Sequence, residues 1–222
     1  MKEDITNLSA AVIYDVLALD LKFKEPFLLD TNIKLISGKK IFGPAFTVQG
    51  KYMFNRTDNY VEMAKVIEML EHIPTESIEV LSCGYSGPVA SWGDFTASLV
   101  AKYGCIGAVT DGFTRDVKGL NEMDFSLFCK GTCCINGFGS GWQIVDYLCP
   151  IEMPGHLGTK VKITPDDYIF GDDDGVLLIP GNLIEQILEL GDKRLKKEEF
   201  YKKKIKNNDF SIEEMKKSIF EW

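Results

Sequence analysis

The fold of this 222-residue chain is decided by a strand–helix–strand stretch that reads IEVLSCGYSG at residues 78–87 and GDFTASLVAKYGCIGAVTDGFTRD at residues 93–116. Residues 78–82 and 105–110 are short apolar runs that end at glycine-containing loops, and residues 93–103 have helical spacing. This alternation predicts a βαβ crossover between parallel strands. The loops after both strands then meet at one edge of the sheet, where α/β proteins commonly bind ligands.

The residues at that edge can bind a small anion together with a metal ion. Gly93 opens the helix, so the first backbone amides behind it are expected to be unpaired and to attract a carboxylate or phosphate. Arg115 adds a guanidinium that stays charged, and its charge keeps the neighbouring Asp116 ionised, as a ligand of a hard cation must be. A surface ion pair of Arg115 and Asp116 is the competing interpretation, but their place beside the helix favours a binding site.

The other segments predict a single α/β core followed by helices. Amphipathic spacing predicts helices over residues 8–19, capped by Asn7 or Ser9, and over residues 58–70, capped by Asp58. From residue 182 the pattern is helical, with a break at residues 207–208 and a last helix that begins with a capping box at Ser211. Residues 34–49 predict two strands around a turn, residues 137–141 a flexible loop, and residues 171–175 a tight hairpin rather than a calcium loop. Further short strands are predicted at residues 125–129, 133–136, 161–163, 168–170 and 176–179.

Composition and charge divide the chain into an α/β domain of residues 1–190 and a charged helical extension of residues 191–222. The extension carries ten Lys or Arg and seven Asp or Glu residues, so its formal charge is +3, which leaves −11 for the domain out of a net −8. An acidic domain disfavours direct binding of nucleic acid, which needs clustered Lys and Arg. We expect the basic extension to pack on a neighbouring subunit.

The sequence also indicates where the protein works. No apolar run approaches the ~18 residues of a membrane span, and residues 1–4 are not followed by the apolar segment of a secretory signal. We therefore expect a cytoplasmic protein without a membrane partner, whose six cysteines are reduced thiols. Two histidines and no paired Cys-x-x-Cys motifs argue against a zinc site.

Four motifs in order give the chain a family resemblance. They are Gly43-Pro44-Ala45-Phe46-Thr47-Val48, Gly93 followed after 21 residues by Arg115-Asp116, Asp111-Gly112, and Gly171-Asp172-Asp173-Asp174-Gly175-Val176. Over residues 7–190 the chain resembles the RraA-like family, which includes class II 4-hydroxy-4-methyl-2-oxoglutarate (4-carboxy-4-hydroxy-2-oxoadipate) aldolases and regulators of ribonuclease E activity. The resemblance implies a β/β/α swivelling-domain fold and a homotrimer or homohexamer with the site near a subunit interface.

The resemblance also implies roles for individual residues. The amides of Gly93, Asp94, Phe95 and Thr96 would hold the carboxylate of a pyruvyl group, Arg115 would contact its keto oxygen, and Asp116 would bind Mg²⁺ or Mn²⁺. Arg115 and Asp116 are thus the expected catalytic residues of a metal-dependent lyase that cleaves a 4-hydroxy-2-oxo acid to pyruvate, or decarboxylates oxaloacetate.

One departure from the family pattern keeps a second function open. Aldolases of the family carry an acid three residues after the metal-binding Asp, and this chain has Gly119 there. The ribonuclease regulators also lack this acid, so the alternative is a non-catalytic regulator that binds an endoribonuclease or RNA helicase. Asp94, Asp111, Glu122 or a carboxylate of another subunit could replace the missing acid.

Overall fold

The sheet at the centre of the molecule combines a parallel core with antiparallel edges. The structure is a computed structural model that describes residue 5 and residues 7–53, 59–84 and 89–219. Within these ranges the strands are β1 (Lys34–Ser37), β2 (Ile41–Tyr52), β3 (Ser77–Ser82), β4 (Ala90–Trp92), β5 (Cys105–Thr110), β6 (Phe113–Thr114), β7 (Ser126–Cys129), β8 (Trp142–Tyr147), β9 (Ile151–Pro154), β10 (Lys160–Ile163), β11 (Tyr168–Asp172) and β12 (Gly175–Ile179). The helices are α1 (Ala10–Asp15, continued by a π-helical turn at Val16–Asp20), α2 (Asn59–Leu70), α3 (Asp94–Tyr103), α4 (Val117–Asn121), α5 (Ile184–Lys206) and α6 (Ile212–Ile219).

The strand order places the predicted crossover in the middle of the sheet. The main sheet runs β1-β7-β5-β3-β2-β11-β12, and β8 pairs with the part of β2 that lies beyond β11. Strands β2, β3, β5 and β7 are parallel, whereas β1, β8 and β11 are antiparallel to their neighbours. Strands β3 and β5 are adjacent with α3 between them in sequence, so the predicted βαβ unit is confirmed.

Both faces of the sheet are covered, which explains why its central strands are apolar throughout. Successive residues of β3 point to opposite faces, so Val80 belongs to one core cluster and Leu81 to the other. The first cluster includes residues of α1, α5 and the β9–β10 hairpin, and the second includes residues of α2, α3 and β8. The molecule therefore has a mixed α/β architecture, with a helix layer on each side of a sheet.

Several local predictions are confirmed by backbone and side-chain contacts. Ser9 caps α1 through a hydrogen bond from Val12 N to Ser9 Oγ of 3.3 Å. Strands β11 and β12 form the predicted hairpin. At α6, Glu214 N donates to Ser211 Oγ (3.1 Å) and Ser211 N donates to Glu214 Oε2 (3.0 Å), which completes the capping box. The predicted cap Asp58 and residues 85–87 of the loop after β3 lie outside the described residues.

The predictions for residues 133–147 were partly wrong. Residues 133–136 form no strand, and only Asn136 makes an isolated bridge, to Ala90. The segment predicted as a flexible loop contains a 3₁₀ turn at Phe138–Ser140, and Trp142 N donates to Gly137 O (3.0 Å). Strand β8 follows at once, and it was missed because its pairing with β2 is set by tertiary contacts rather than by a clear alternating pattern.

The charged extension is continuous with the domain. Helix α5 crosses the predicted boundary between residues 190 and 191, and Gly191 packs closely against Leu8. Arg194 donates two hydrogen bonds to the carboxylate of Asp20 (2.6 and 2.8 Å), and its side chain is only 13% exposed. The first turns of the extension thus pack on the chain's own N-terminal helix. Packing of the remaining turns on another subunit stays a prediction.

Candidate active site

The predicted site residues meet beyond the carboxyl ends of β3 and β5. The short strands β4 and β6 run parallel to each other and bring the segments of Gly93 and Arg115 side by side. Arg115 N donates to Trp92 O (3.1 Å), and Thr114 Oγ1 donates to the same oxygen (3.3 Å). Backbone pairing therefore sets the position of Arg115 relative to the start of α3.

The start of α3 has the features of an anion-binding helix terminus. Gly93 occupies the N-cap position in extended conformation, and no side chain of the described residues caps this end. The first intrahelical bond is donated by Ala97 N to Gly93 O (3.0 Å). The amides of Asp94, Phe95 and Thr96 precede that bond, so they are available to a ligand and carry the positive end of the helix dipole.

Asp116 lies directly against Gly93. A Cβ atom added to Gly93 would be 2.8 Å from Asp116 Oδ2 and 3.4 Å from Arg115 Cγ, so a larger residue would have to displace the Asp116 carboxylate. Asp116 itself has a left-handed backbone (φ 60°, ψ 35°), which Asp tolerates better than most residues and which turns the chain into α4. Arg115 Nε lies 3.3 Å from Asp116 Oδ2, and each of the two side chains is 41% exposed. Both charges remain accessible to a ligand.

Asp94 is the carboxylate that the structure brings to Gly119. Asp94 Oδ2 contacts the position where a Cβ of residue 119 would lie, and Asp94 Cβ and Cγ are 3.0 Å from that position. The Asp94 side chain therefore occupies the space in which a side chain at residue 119 would begin. Asp111 is used differently, because its Oδ1 accepts a 2.6 Å hydrogen bond from Cys83 N and joins the loops after β3 and β5. Burial raises the pKa of Asp111, and the hydrogen bond from Cys83 opposes that shift.

The carboxylates at this edge suit a cation such as Mg²⁺, which takes only a few of its ligands from the protein. No three His, Cys, Asp or Glu side chains of the described residues converge as a metal cage. Mg²⁺ is usually held by one or two carboxylates, with water and substrate oxygens completing its shell. Asp116, with Asp94 nearby on the facing helix, offers that kind of incomplete set.

A cavity beside this edge was missed by sequence reasoning. Its volume is about 160 Å³, and its lining includes Gly93, Arg115 and Asp116 together with apolar residues of α2, α3 and β8. Glu79 also lines it, although this side chain is only 1% exposed. Glu79 Oε2 and the indole Nε1 of Trp92 have no hydrogen-bond partner among the described residues. The available signal was a Glu within the apolar run of β3.

Comparisons with known proteins place the chain in a family. Residues 10–178 match the model of the RraA-like family, described as Aldolase/RraA. The chain belongs to the RraA-like family. Its expected swivelling-domain α/β fold agrees with solved structures of this family. Among them is RraAS2 of Streptomyces coelicolor, described as an unusual member of the RNase ES inhibitor RraA protein family, with a TM-score of 0.73 and 22% identity over 90% of this chain and 94% of that one.

Relatives with similar sequences include the following two proteins. A protein of Halalkalibacterium halodurans named "Putative 4-hydroxy-4-methyl-2-oxoglutarate aldolase" is 31% identical over 83% of this chain and 81% of its own length. Protein DlpA of Legionella pneumophila is 29% identical over 84% of this chain, but the chain spans only 28% of DlpA. Among the described residues, no helix has the length and hydropathy that crossing a membrane requires.

Proposed function

We propose that this RraA-like protein is a divalent-metal-dependent lyase that cleaves a 4-hydroxy-2-oxo acid to pyruvate and a second carbonyl compound. The observation that carries the proposal is the contact of Asp116 with Gly93, which places a carboxylate and Arg115 beside the open start of α3. The similarity to the aldolase-named protein of Halalkalibacterium halodurans supports the same reaction class. Oxaloacetate has the same 2-oxo acid unit, so its decarboxylation is proposed as a second activity.

The open helix start would bind the substrate's carboxylate. The amides of Asp94, Phe95 and Thr96 donate hydrogen bonds from a positive helix end, and no side chain at Gly93 blocks their approach. Arg115 would donate to the 2-oxo oxygen. Binding at two points orients the C3–C4 bond and holds the reacting carbonyl against the guanidinium.

Arg115 would stabilise the charge that develops when the C3–C4 bond breaks. The C4 hydroxyl group loses its proton to a water molecule, and its oxygen becomes the carbonyl oxygen of the second product. The electron pair of the C3–C4 bond moves into the pyruvyl unit, and negative charge accumulates on the 2-oxo oxygen. A single well-placed donor at such an oxygen lowers the barrier by about 3 kcal/mol. Protonation at C3 then gives pyruvate, and no lysine Schiff base is needed.

Asp116 would hold Mg²⁺ or Mn²⁺, with Asp94 as an outer partner that orients a water of the cation. When bound, such a cation supplies Lewis-acid polarisation of the 2-oxo group. Aldolases of the family carry an acid at the position of Gly119. Asp94 contacts that position, so its carboxylate could take the part of the missing acid. We therefore favour a catalytic lyase over the non-catalytic regulator that Gly119 alone would indicate.

The decisive experiment measures pyruvate release from 4-hydroxy-4-methyl-2-oxoglutarate and from oxaloacetate, with Mg²⁺, with Mn²⁺ and with chelator. We expect metal-dependent turnover by the wild type and a loss of at least a hundredfold in Asp116→Ala, since Asp116 would hold the cation that polarises the 2-oxo group. Asp124→Ala is the matched control, because Asp124 is an exposed carboxylate whose partner is Lys39. Absence of turnover of both substrates with every metal would refute the lyase.

The second candidate function is a regulator that binds an endoribonuclease or RNA helicase, and Gly119 is the observation that favours it. A pull-down of the purified chain with such an enzyme tests it. Binding at micromolar concentration together with an inactive wild type would favour the regulator, whereas no binding would remove it. Light scattering on the same sample would measure whether the proposed trimer or hexamer forms.

A further inference from the structure

The proposed catalytic pair borders a second cleft, and two adjacent cysteines lie on its wall. The volume of this cleft is about 280 Å³, and its lining residues are Arg115, Asp116, Val117, Thr132, Cys133 and Cys134. Of these six residues, only Arg115 and Asp116 also line the apolar cavity at Gly93. The cleft therefore reaches the proposed site from the surface that carries the cysteines.

Main-chain hydrogen bonds hold the cysteine segment beside Arg115. Thr114 and Thr132 form an isolated parallel bridge, and Cys133 N donates to Thr114 O (2.8 Å). Ile135 N donates to Cys133 Sγ (3.5 Å), which restrains that side chain. Because Thr114 directly precedes Arg115, backbone pairing sets where the cysteine segment lies relative to the guanidinium.

Four of the six thiols are poor nucleophiles, because the thiolate is the attacking form and burial disfavours it. Burial raises the pKa of Cys83 and of Cys105 to about 12, and that of Cys129 to about 11. Burial also raises the pKa of Cys149. At neutral pH these four thiols are therefore almost entirely protonated.

Cys134 differs from those four thiols in its exposure and in the cation of its cleft. Cys134 is exposed, whereas Cys133 is half-buried. Reactive cysteines typically lie in accessible places beside Lys or Arg. Arg115 stays charged and is 41% exposed, although Asp116 Oδ2 lies 3.3 Å from its Nε and offsets part of the charge. A guanidinium has five N–H donors, so it can also bind a carboxylate on a reagent that enters the cleft.

We propose that Cys134 is a modification site, at which a small disulfide that carries a carboxylate forms a mixed disulfide, and that the adduct fills the cleft against Arg115 and Asp116. The Cys134 thiolate attacks one sulfur of the reagent, whose S–S bond breaks. The other half of the reagent leaves as a thiolate with the electron pair, and the proton of Cys134 passes to solvent. The reagent is thus the oxidant.

The size of the cleft explains how such an adduct would act. A cavity of about 150 Å³ holds a benzene ring, so about ten non-hydrogen atoms would fill this cleft. The adduct would then exclude a cation from Asp116 and a substrate from Arg115. Reduction by a thiol would restore both, which makes the modification a reversible block. Only the effect on catalysis rests on the proposed function.

Labelling of the reduced full chain with 5,5′-dithiobis(2-nitrobenzoate) tests the site, because each reaction releases one coloured thiolate. The fastest phase should disappear in Cys134→Ser and persist in Cys149→Ser, the matched control whose thiol lies outside the cleft. Mass spectrometry of peptides should place the first adduct on Cys134. A first adduct on any other cysteine, or an unchanged fast phase in Cys134→Ser, would overturn the site.

A neutral disulfide measures the contribution of the Arg115 charge. 4,4′-Dithiodipyridine also reacts with thiols but carries no carboxylate. The rate of the carboxylate reagent relative to that of the neutral one should fall by about fivefold in Arg115→Gln, which is the effect of one unit charge at about 4 Å in water. An unchanged ratio of the two rates would overturn the preference for a carboxylate.

Mn²⁺ binding, measured by electron paramagnetic resonance, tests whether the adduct closes the cleft. Binding should be lost in the chain labelled at Cys134 and should return with dithiothreitol. Methyl methanethiosulfonate adds only a methylthio group, which should leave Mn²⁺ binding intact. Cys134→Ser should bind Mn²⁺ as the wild type does and should not respond to the reagent. Intact binding after complete labelling with the larger group would overturn the closure.

The outcomes separate this inference from the proposed function. Pyruvate release that survives complete labelling at Cys134 would overturn the closure and leave the lyase standing. A wild type without turnover would refute the lyase, while labelling and Mn²⁺ binding would still decide this inference. Failure of the unlabelled chain to bind Mn²⁺ would overturn the metal-dependent lyase and the closure together, and the labelling alone would then decide the modification site.

Discussion

Replacing Glu79 by Gln should make the protein more stable, by an amount that grows with pH. The ordinary pKa of this carboxyl group is 4.5, and burial in β3 raises it to about 8 in the folded chain. Between these two values the unfolded chain releases the proton while the folded chain retains it. The free energy of unfolding of the wild type therefore falls as pH rises through this window, and Gln removes the effect because it cannot ionise.

The magnitude follows from the pKa difference. The slope for one proton is about 1.4 kcal/mol per pH unit, so the whole window amounts to about 5 kcal/mol. Between pH 5.5 and 7.5, the stability of Glu79→Gln relative to wild type should rise by about 3 kcal/mol. Cys105 is the neighbouring titratable group, and burial raises its pKa to about 12, so it stays protonated over this range.

Urea unfolding followed by circular dichroism at a series of pH values measures this difference. Protein concentration must be held fixed, since an oligomer's stability depends on it. Glu25→Gln makes the same chemical change at an exposed position, and its difference from wild type should stay within about 0.5 kcal/mol throughout. A Glu79→Gln difference that is equally flat would show that the carboxyl group is ionised in the folded protein, and the reasoning about its neutral form would fail.

Three other substitutions test the site and the extension. Gly93→Ala should lower metal-dependent pyruvate release by at least tenfold, because its Cβ would displace Asp116 Oδ2, while thermal unfolding shows a cost of only about 1 kcal/mol. Asp94→Ala should weaken Mn²⁺ binding by about tenfold in a titration monitored by electron paramagnetic resonance, as loss of an outer partner does; unchanged affinity would separate Asp94 from the cation. Arg194→Ala should lower the free energy of unfolding by about 2 kcal/mol in urea, since it removes both hydrogen bonds to Asp20.

The parts of the fold and site that sequence predicted are those fixed by local patterns. Strand β5 occupies the predicted residues because an apolar run between glycine-containing turns leaves little choice of structure. Gly93, Arg115 and Asp116 were placed together because the carboxyl ends of parallel strands share one edge. Their metal and substrate roles remain proposals. The capping box at Ser211 was likewise predictable, because it depends only on residues that are close in sequence.

The remaining features depend on contacts between segments far apart in sequence. Strand β8 exists because β2 is long enough to pair with it beyond β11. The contact of Asp94 with Gly119 requires α3 and α4 to face each other, which no periodicity predicts. The cavity at Glu79 combines residues of β3, β4, α2, α3 and β8, so its size follows from packing alone.

The high cost of burying Glu79 indicates that this residue is retained for a reason other than stability. An apolar side chain in β3 would fill the space without an unpaired oxygen and would make the chain more stable above pH 4.5. A stability cost of several kcal/mol is large against the 5–15 kcal/mol that holds a typical domain together. Groups kept at such a cost beside a ligand site are commonly used by that site, because activity and maximal stability compete. That argument links Glu79 to the carboxylate site at Gly93, and it favours an enzyme with a shaped substrate pocket over a protein whose function lies only on its outer surface.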